Sequence, residues 1–284
     1  MSRWGADRRS MSREERRRTE VLTHTVREPY VHPQTVAAIQ TVFNRTRLSH
    51  RAWESRQYSG RLDSRQAWRS DARGATDIFR DRRLPSATVL NVALLVDASG
   101  SMSGERACRA QDMAATLVAA FQRIATVNVS VWQHNASDHT TVYRNYERGS
   151  ANKLNMMLLN INGGNADGFA LDFVGKRLLT AKRPDERSLV IVISDGLPSV
   201  RASGSVAQMA ATRTGSDLTD HSNLVASQLR AKGCDVMSVA IAGDPASHDL
   251  MYGKGNVVPF TGDWSELARS FATVFGKVLA KGSK

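Results

Sequence analysis

Asp97, Ser99 and Ser101 stand in the run NVALLVDASGSM, residues 91–102, where an apolar stretch ends on an aspartate and passes at once into a Gly/Ser turn. One carboxylate and two hydroxyls are hard oxygen donors. They suit a small hard cation such as Mg²⁺ or Mn²⁺, and Mg²⁺ prefers octahedral oxygen coordination at ~2.0–2.1 Å and keeps several waters. The same triplet also fits a plain turn closed by side-chain hydrogen bonds to the backbone. Two further places weigh against that plainer reading. Residues 188–196, SLVIVISDG, form a second apolar run ending on an aspartate, Asp195, with glycine next. Between the two lies GGNADGFAL, residues 163–171, a glycine-rich loop carrying Asn165 and Asp167. Three polar loops of this kind can converge on one ion.

The elements that must position them read as alternating strands and helices. Residues 92–96 are continuously apolar and rich in β-branched side chains, as in a strand buried on both faces of a parallel sheet. Further strands are predicted at 127–133, 140–143 (an antiparallel edge), 189–194, 236–242 and 257–260, and helices at 104–124, 153–159, 169–179 and 264–279. This pattern gives an α/β fold with a doubly wound, mostly parallel, Rossmann-like sheet, helices on both faces and right-handed crossovers. In the common 3-2-1-4-5 strand order the first and fourth strands are neighbours at the switch point, where ligands of open α/β sheets bind. Asp97 and Asp195 then face each other across one cleft, and two uncompensated carboxylates repel unless a cation or a proton intervenes.

With these three loops the chain resembles a von Willebrand factor A (vWA) domain carrying a metal-ion-dependent adhesion site. In that family the first loop supplies an aspartate and two serines, matched by Asp97, Ser99 and Ser101, and the third an aspartate, matched by Asp195. The second loop departs: Asn165 stands where the family has threonine, and Asp167 follows two residues later. An Asn-x-Asp-Gly-x-Ala-Leu loop followed by VISDG-x-P is similar to the C-terminal vWA domain of the cobaltochelatase CobT subunits. The segment GRLDSRQAWRSDARGATDIFRDRR, residues 60–83, resembles the stretch preceding that domain. The resemblance implies a cation held by Asp97, Ser99, Ser101, the Asn165/Asp167 loop and, through water, Asp195. A partner's carboxylate would complete the coordination. It also implies a role as adaptor to an AAA+ ATPase of the MoxR/CobS type, as a subunit of an ATP-dependent metal chelatase complex. On this reading residues 90–284 are the vWA domain.

Composition bounds the rest. The chain has 284 residues, 41% hydrophobic, enough for one substantial core and an extension. No apolar run approaches the ~20 residues of a membrane span, and the opening MSRWGADRRS is charged, so a soluble, cytoplasmic protein is expected. Residues 1–89 contain 19 Arg, no Lys and 10 acidic residues, which places +9 of the net +12 there. Residues 1–33 read as a basic, flexible arm and 34–89 as a helical or irregular extension packed on the core. Within the latter, Val36, Ile39, Val42 and Phe43 share one face of a helix over 34–48. Trp53, Tyr58, Leu62, Trp68, Ile78 and Phe79 are expected to bury against the vWA domain. A basic arm invites nucleic acid through phosphate neutralisation. Yet interleaved acids, as in REERRRTE at 13–20, favour paired charges on a solvated helix, and arginine suits the carboxylates of an acidic protein partner.

Catalysis by this chain alone is not expected. There is no G-x-x-x-x-G-K-[ST] loop and no HExxH, the seven histidines are scattered, and Ser99 has no sequence-evident base. Cys108, in a helix, and Cys234, opening a strand, have no metal spacing and read as packing residues. Residues 199–216 read as an exposed insertion on the site's face or an ordinary long loop, and YGKGN, 252–256, as a turn.

Overall fold

Strand β4 (Leu90–Asp97) is buried along almost its whole length and lies near the middle of a six-stranded sheet. It pairs in parallel with β5 (Val127–Ala136) on one side and β7 (Arg187–Ser194) on the other. Outward from β7 lie β8 (Cys234–Ile241) and β9 (Val257–Phe260), both parallel, while β6 (Thr140–Glu147) closes the far edge antiparallel to β5. The order β6-β5-β4-β7-β8-β9 is the expected one, with the first and fourth strands of this sheet adjacent. The computed structural model describes residues 28–49, 52–83, 89–137, 139–148, 161–184, 186–196, 198–199 and 217–281. The predicted helix at 153–159, residues 1–27 of the basic arm and almost all of the 199–216 insertion lie outside them.

Alternation along the strands builds two apolar layers. Val92, Leu94, Val96, Ile191, Ile193, Met237 and Val239 face one side. There they meet α3 (Glu105–Gln122) and α7 (Trp264–Lys281), whose Phe121, Phe271 and Phe275 rings lie 5.5–5.7 Å apart in sequence around Phe275. Ala93, Leu95, Val190, Val192 and Val236 face the other. They pack on α4 (Asp167–Ala181), α5 (Leu218–Ala231) and α6 (Pro245–Tyr252). The expected doubly wound architecture is therefore what the chain adopts.

Helix α1 (Pro33–Ser49) opens with proline, whose missing N–H costs nothing at a first helical position. Its Val36, Ile39 and Phe43 are 3%, 0% and 7% exposed in the layer shared with α3 and α7. Burying such side chains contributes about 1.5–3 kcal/mol each, which makes α1 part of the core. The chain entering it is tied down as well. The Tyr30 and His32 amides donate to Asp112 Oδ1 (2.7 Å) and Thr116 Oγ1 (3.1 Å), and the His32 ring stacks on Trp264 at 3.4 Å.

The rest of the extension differs from expectation. Residues 52–83 form a small antiparallel sheet, ordered β1 (Ala52–Gln57), β3 (Phe79–Arg83), β2 (Arg61–Leu62), with a short helix α2 (Trp68–Arg73). Tyr58, Leu62 and Trp68 are not buried on the main domain but stand 78%, 50% and 55% exposed. Local contacts satisfy them instead: the Trp68 indole N–H donates to the Arg65 carbonyl at 3.1 Å and the Arg73 guanidinium lies 5.7 Å from its ring. Asp63, which accepts from Ser55 Oγ and the Arg65 amide, is the buried polar centre of this sheet.

Candidate functional site

The carboxyl ends of β4 and β7 bring Asp97 and Asp195 to one edge of the sheet: Val96 pairs with Ile193, so Ser194 is level with Asp97 and Asp195 is the next residue. Backbone hydrogen bonds then stitch the three loops together. The Asn162 amide donates to Ala98 O (3.0 Å) and the Gly100 amide to Gly163 O (2.9 Å), joining the first loop to the second. Asn165 and Ser199 exchange both backbone bonds, at 2.7 and 2.9 Å, joining the second to the third. Gly163 makes this possible: its φ is +68°, and a Cβ there would lie 2.5 Å from the Ala136 carbonyl oxygen.

Side-chain oxygens form a chain across these loops. Ser99 Oγ and Ser101 Oγ are 2.9 Å apart, and Ser101 Oγ donates to Asp195 Oδ1 at 3.0 Å. Asp97 lies behind them, fully buried. Its Oδ1 accepts the Ser99 amide (2.8 Å), and its Oδ2 accepts Asn165 Nδ2 (2.8 Å) and Ser194 Oγ (2.9 Å). Burial runs from Asp97 (0%) through Ser99 (2%) and Asp195 (9%) to exposed Ser101, so the cluster opens to solvent on one side only. At that mouth the Arg106 guanidinium, from the first turn of α3, reaches Asp195 Oδ2 at 2.5 Å and the Ser101 carbonyl at 3.4 Å.

Beneath Asp97 lies a second, sealed group of charges. His134 on β5 is the register partner of Asp97, and its Nε2 is 3.1 Å from Asp167 Oδ1, both side chains being wholly buried. The imidazole and the carboxylate form a close buried pair in which the carboxylate favours the charged form of the imidazole. Burial pushes the Asp97 carboxyl up to about 6, His134 opposes the rise and Asp167 adds to it. Burial disfavours the charged form of His134, but Asp167 and Asp97 outweigh it and raise its pKa above the usual 6.5. Tyr252, at the end of α6, is held well above its ordinary value by burial and by the Asp167 carboxylate.

All six residues singled out from the sequence therefore occupy one region, in two tiers. Asp97, Ser99, Ser101 and Asp195 form the oxygen chain. Asn165 bonds to Asp97 directly, and its Nδ2 lies 3.4 Å from Asp167 Oδ2. Asp167 sits deeper, against His134. Arg106, Ser194, His134 and Tyr252 were not anticipated. The signal for His134 and Ser194 was positional: one is level with Asp97 on a parallel neighbour and the other precedes Asp195. Nothing local marks Arg106 or Tyr252.

The donor set fits a small dication. Ligands on adjacent vertices of an octahedron with ~2.0–2.1 Å metal–oxygen bonds lie about 2.9 Å apart, the spacing of Ser99 Oγ to Ser101 Oγ and of Ser101 Oγ to Asp195 Oδ1. Asn165 Oδ1 is buried with no hydrogen-bond partner among the described residues, which is unusual for a polar atom and leaves an oxygen lone pair available. No group of three or more His, Cys, Asp or Glu forms a ready cluster among those residues, because hydroxyl and amide oxygens supply much of this set. Elsewhere, Cys234 is a packing thiol pushed up to about 12, chiefly by burial, and Cys108 is half-buried in α3. No helix of the described residues is long and apolar enough to cross a membrane.

Known proteins share this fold. The PilB minor pilin from Streptococcus sanguinis is similar at 12% identity and TM-score 0.50, over 71% of this chain and 64% of that one. The pilus adhesin SpaC from Lactobacillus rhamnosus GG is similar at 14% identity and TM-score 0.48, over 69% of this chain. The match spans 31% of that adhesin chain. The manganese-loaded TRAP protein of Plasmodium vivax is similar at 18% identity and TM-score 0.45, over 65% of this chain and 72% of that one. No curated protein matches in sequence. The model of the von Willebrand factor type A domain matches residues 91–252, more than half of the sequence and the whole span from the first strand of the large sheet to the end of α6. The chain belongs to the von Willebrand factor type A domain family.

Proposed function

We propose that the chain is a noncatalytic interaction module that recognises a protein partner through a divalent cation, Mg²⁺ or Mn²⁺. Asp97, Ser99, Ser101 and Asp195 would hold the ion, with the Asn165/Asp167 loop supporting it. The ion would supply positive charge and an open coordination position for a carboxylate of the partner. The observation that carries this reading is the oxygen edge Ser99–Ser101–Asp195, with spacings of 2.9 and 3.0 Å, reached from solvent at Ser101 and backed by the buried Asp97. Asp167 supports it from below by holding His134.

The loop text at 165–171 and 192–198 favours a CobT-like adaptor of a MoxR/CobS-type AAA+ ATPase, working in the cytoplasm. ATP turnover would belong to that partner, and this chain would couple it to a client or to metal insertion. Co-purification of the chain with such an ATPase in Mg²⁺ and in EDTA tests this. Retention in Mg²⁺, release in EDTA and loss in Asp97→Ala support it. Retention in EDTA, or by Asp97→Ala, overturns it.

A second reading draws on the exposed Tyr58 and Trp68 within the arginine-rich first 89 residues. Exposed aromatics and arginines suit stacking and phosphate contact with single-stranded nucleic acid. A steep salt dependence of RNA or DNA affinity that is lost when residues 1–27 of the basic arm are deleted, together with weaker binding by Tyr58→Ala and Trp68→Ala, would favour it, and salt-independent or undetectable binding would exclude it.

A further inference from the structure

We infer that Arg106 sets the cation affinity of this site by acting as an internal competitor: its guanidinium neutralises Asp195 in the metal-free chain and leaves when a dication arrives. The inference rests on the cation-site reading above.

Arg106 is the second residue of α3, in a first turn where the helix macrodipole disfavours positive charge. Its side chain is 45% exposed, so burial of its stem does not account for its position. What holds it there is Asp195, whose side chain is only 6% exposed and whose two oxygens are both engaged: Oδ2 by Arg106 at 2.5 Å and Oδ1 by Ser101 Oγ at 3.0 Å. The pair is neutral and closes the mouth of the cluster. A dication held by the Ser99 and Ser101 hydroxyls would lie within a few ångströms of that guanidinium. At that range, in a partly buried setting, like charges repel strongly. The long, half-exposed arginine stem can swing into solvent, whereas the serines stand in a turn held by backbone hydrogen bonds and Asp195 follows directly on β7. Arg106 is therefore the part that yields, and the affinity of the site is lowered by whatever its ion pair contributes to the metal-free state. Linkage makes this reciprocal: a substitution that weakens the pair destabilises the metal-free chain and tightens cation binding.

Calorimetric titration of the full chain with Mg²⁺, for wild type, Arg106→Gln and Arg106→Lys, tests the inference, with thermal melts in EDTA and in saturating Mg²⁺. Arg106→Gln is expected to bind Mg²⁺ about tenfold tighter, within the usual range of site-to-site coupling. It should melt lower than wild type in EDTA and level with it in saturating Mg²⁺, and Arg106→Lys should stay near wild type. Mg²⁺ affinity of Arg106→Gln equal to or weaker than wild type overturns the inference while leaving the cation site standing. Absence of Mg²⁺ binding by wild type and variant alike overturns both. The melts in EDTA guard against a folding defect, since a variant that fails to melt cooperatively shows Arg106 to be structural and refutes its role as a displaceable competitor.

Discussion

Replacing Asp97 with asparagine should stabilise the metal-free protein at neutral pH while abolishing its response to Mg²⁺. The side chain is fully buried, and burial raises its pKa from 3.8 to about 6. A raised acid binds more protons folded than unfolded between these values, so stability falls as pH climbs through the window and stays low above it. At about 1.4 kcal/mol per pKa unit, ionised Asp97 costs the fold about 3 kcal/mol near neutrality. Asparagine keeps the shape and one oxygen, which can accept the Ser99 amide that Oδ1 accepts at 2.8 Å in the wild type, while the Ser194 hydroxyl, 2.9 Å from Oδ2, can turn to accept from the new amide N–H. Part of the gain is returned because Asn165 Nδ2 loses its acceptor and His134 an attractive partner. The expected net is about 1–3 kcal/mol, read as a rise in Tm of roughly 3–10 °C. The assay is urea denaturation and thermal melting in EDTA at about pH 7.5 and about pH 4, with the gain shrinking at the lower pH. Adding Mg²⁺ should raise the Tm of wild type only. A variant less stable than wild type in EDTA at neutral pH, or one that keeps the Mg²⁺ shift, would refute the reasoning.

Other expectations follow from the same geometry. His134 has a folded pKa raised above 6.5, so its contribution to stability is present below 6.5 and is lost as pH rises through the higher folded value. Urea midpoints across that range should slope downward for wild type and much less for His134→Gln. In Gly243→Ala the new Cβ would lie 2.1 Å from the Asp195 carbonyl oxygen and 2.8 Å from its carbon, backbone atoms that cannot step aside. A loss of about 2 kcal/mol or more is expected by denaturation, with weaker Mg²⁺ binding because the third loop must shift. Ile39→Ala removes a fully buried side chain from the layer that α1 shares with α3 and α7. It should cost about 2–5 kcal/mol, and an effect below about 0.5 kcal/mol, the size of a surface change, would show that α1 is not part of the core.

Much of this arrangement was legible because its causes are local. Continuous apolar runs such as 189–193 announce burial on both faces, and an aspartate just past such a strand has few places to be other than the sheet's carboxyl edge. That is why Asp97 and Asp195 could be paired from sequence alone. Asn165 and Asp167 were placed in the right loop, but the tier each occupies depends on where α4 begins and on what lies behind it. His134 and Tyr252, neighbours of Asp97 and Asp167, come from β5 and α6, far along the chain. Arg106 carries no sequence signal, because a first-turn arginine looks like surface decoration until Asp195 is found opposite it. The small N-terminal sheet departs from expectation for a different reason. Its aromatics suggested burial, whereas short strands rich in arginine fold on local hydrogen bonds around Asp63 and leave Tyr58 and Trp68 in solvent.

The central claim, that hydroxyls and carboxylates at this sheet edge hold one divalent cation, is tested most directly by electron paramagnetic resonance of Mn²⁺ titrated into the full chain. Loss of the free Mn²⁺ signal in proportion to one ion per chain, reversed by Mg²⁺ and absent in Ser101→Ala, is the predicted result. An undiminished free-ion signal, or equal binding by Ser101→Ala, would contradict it.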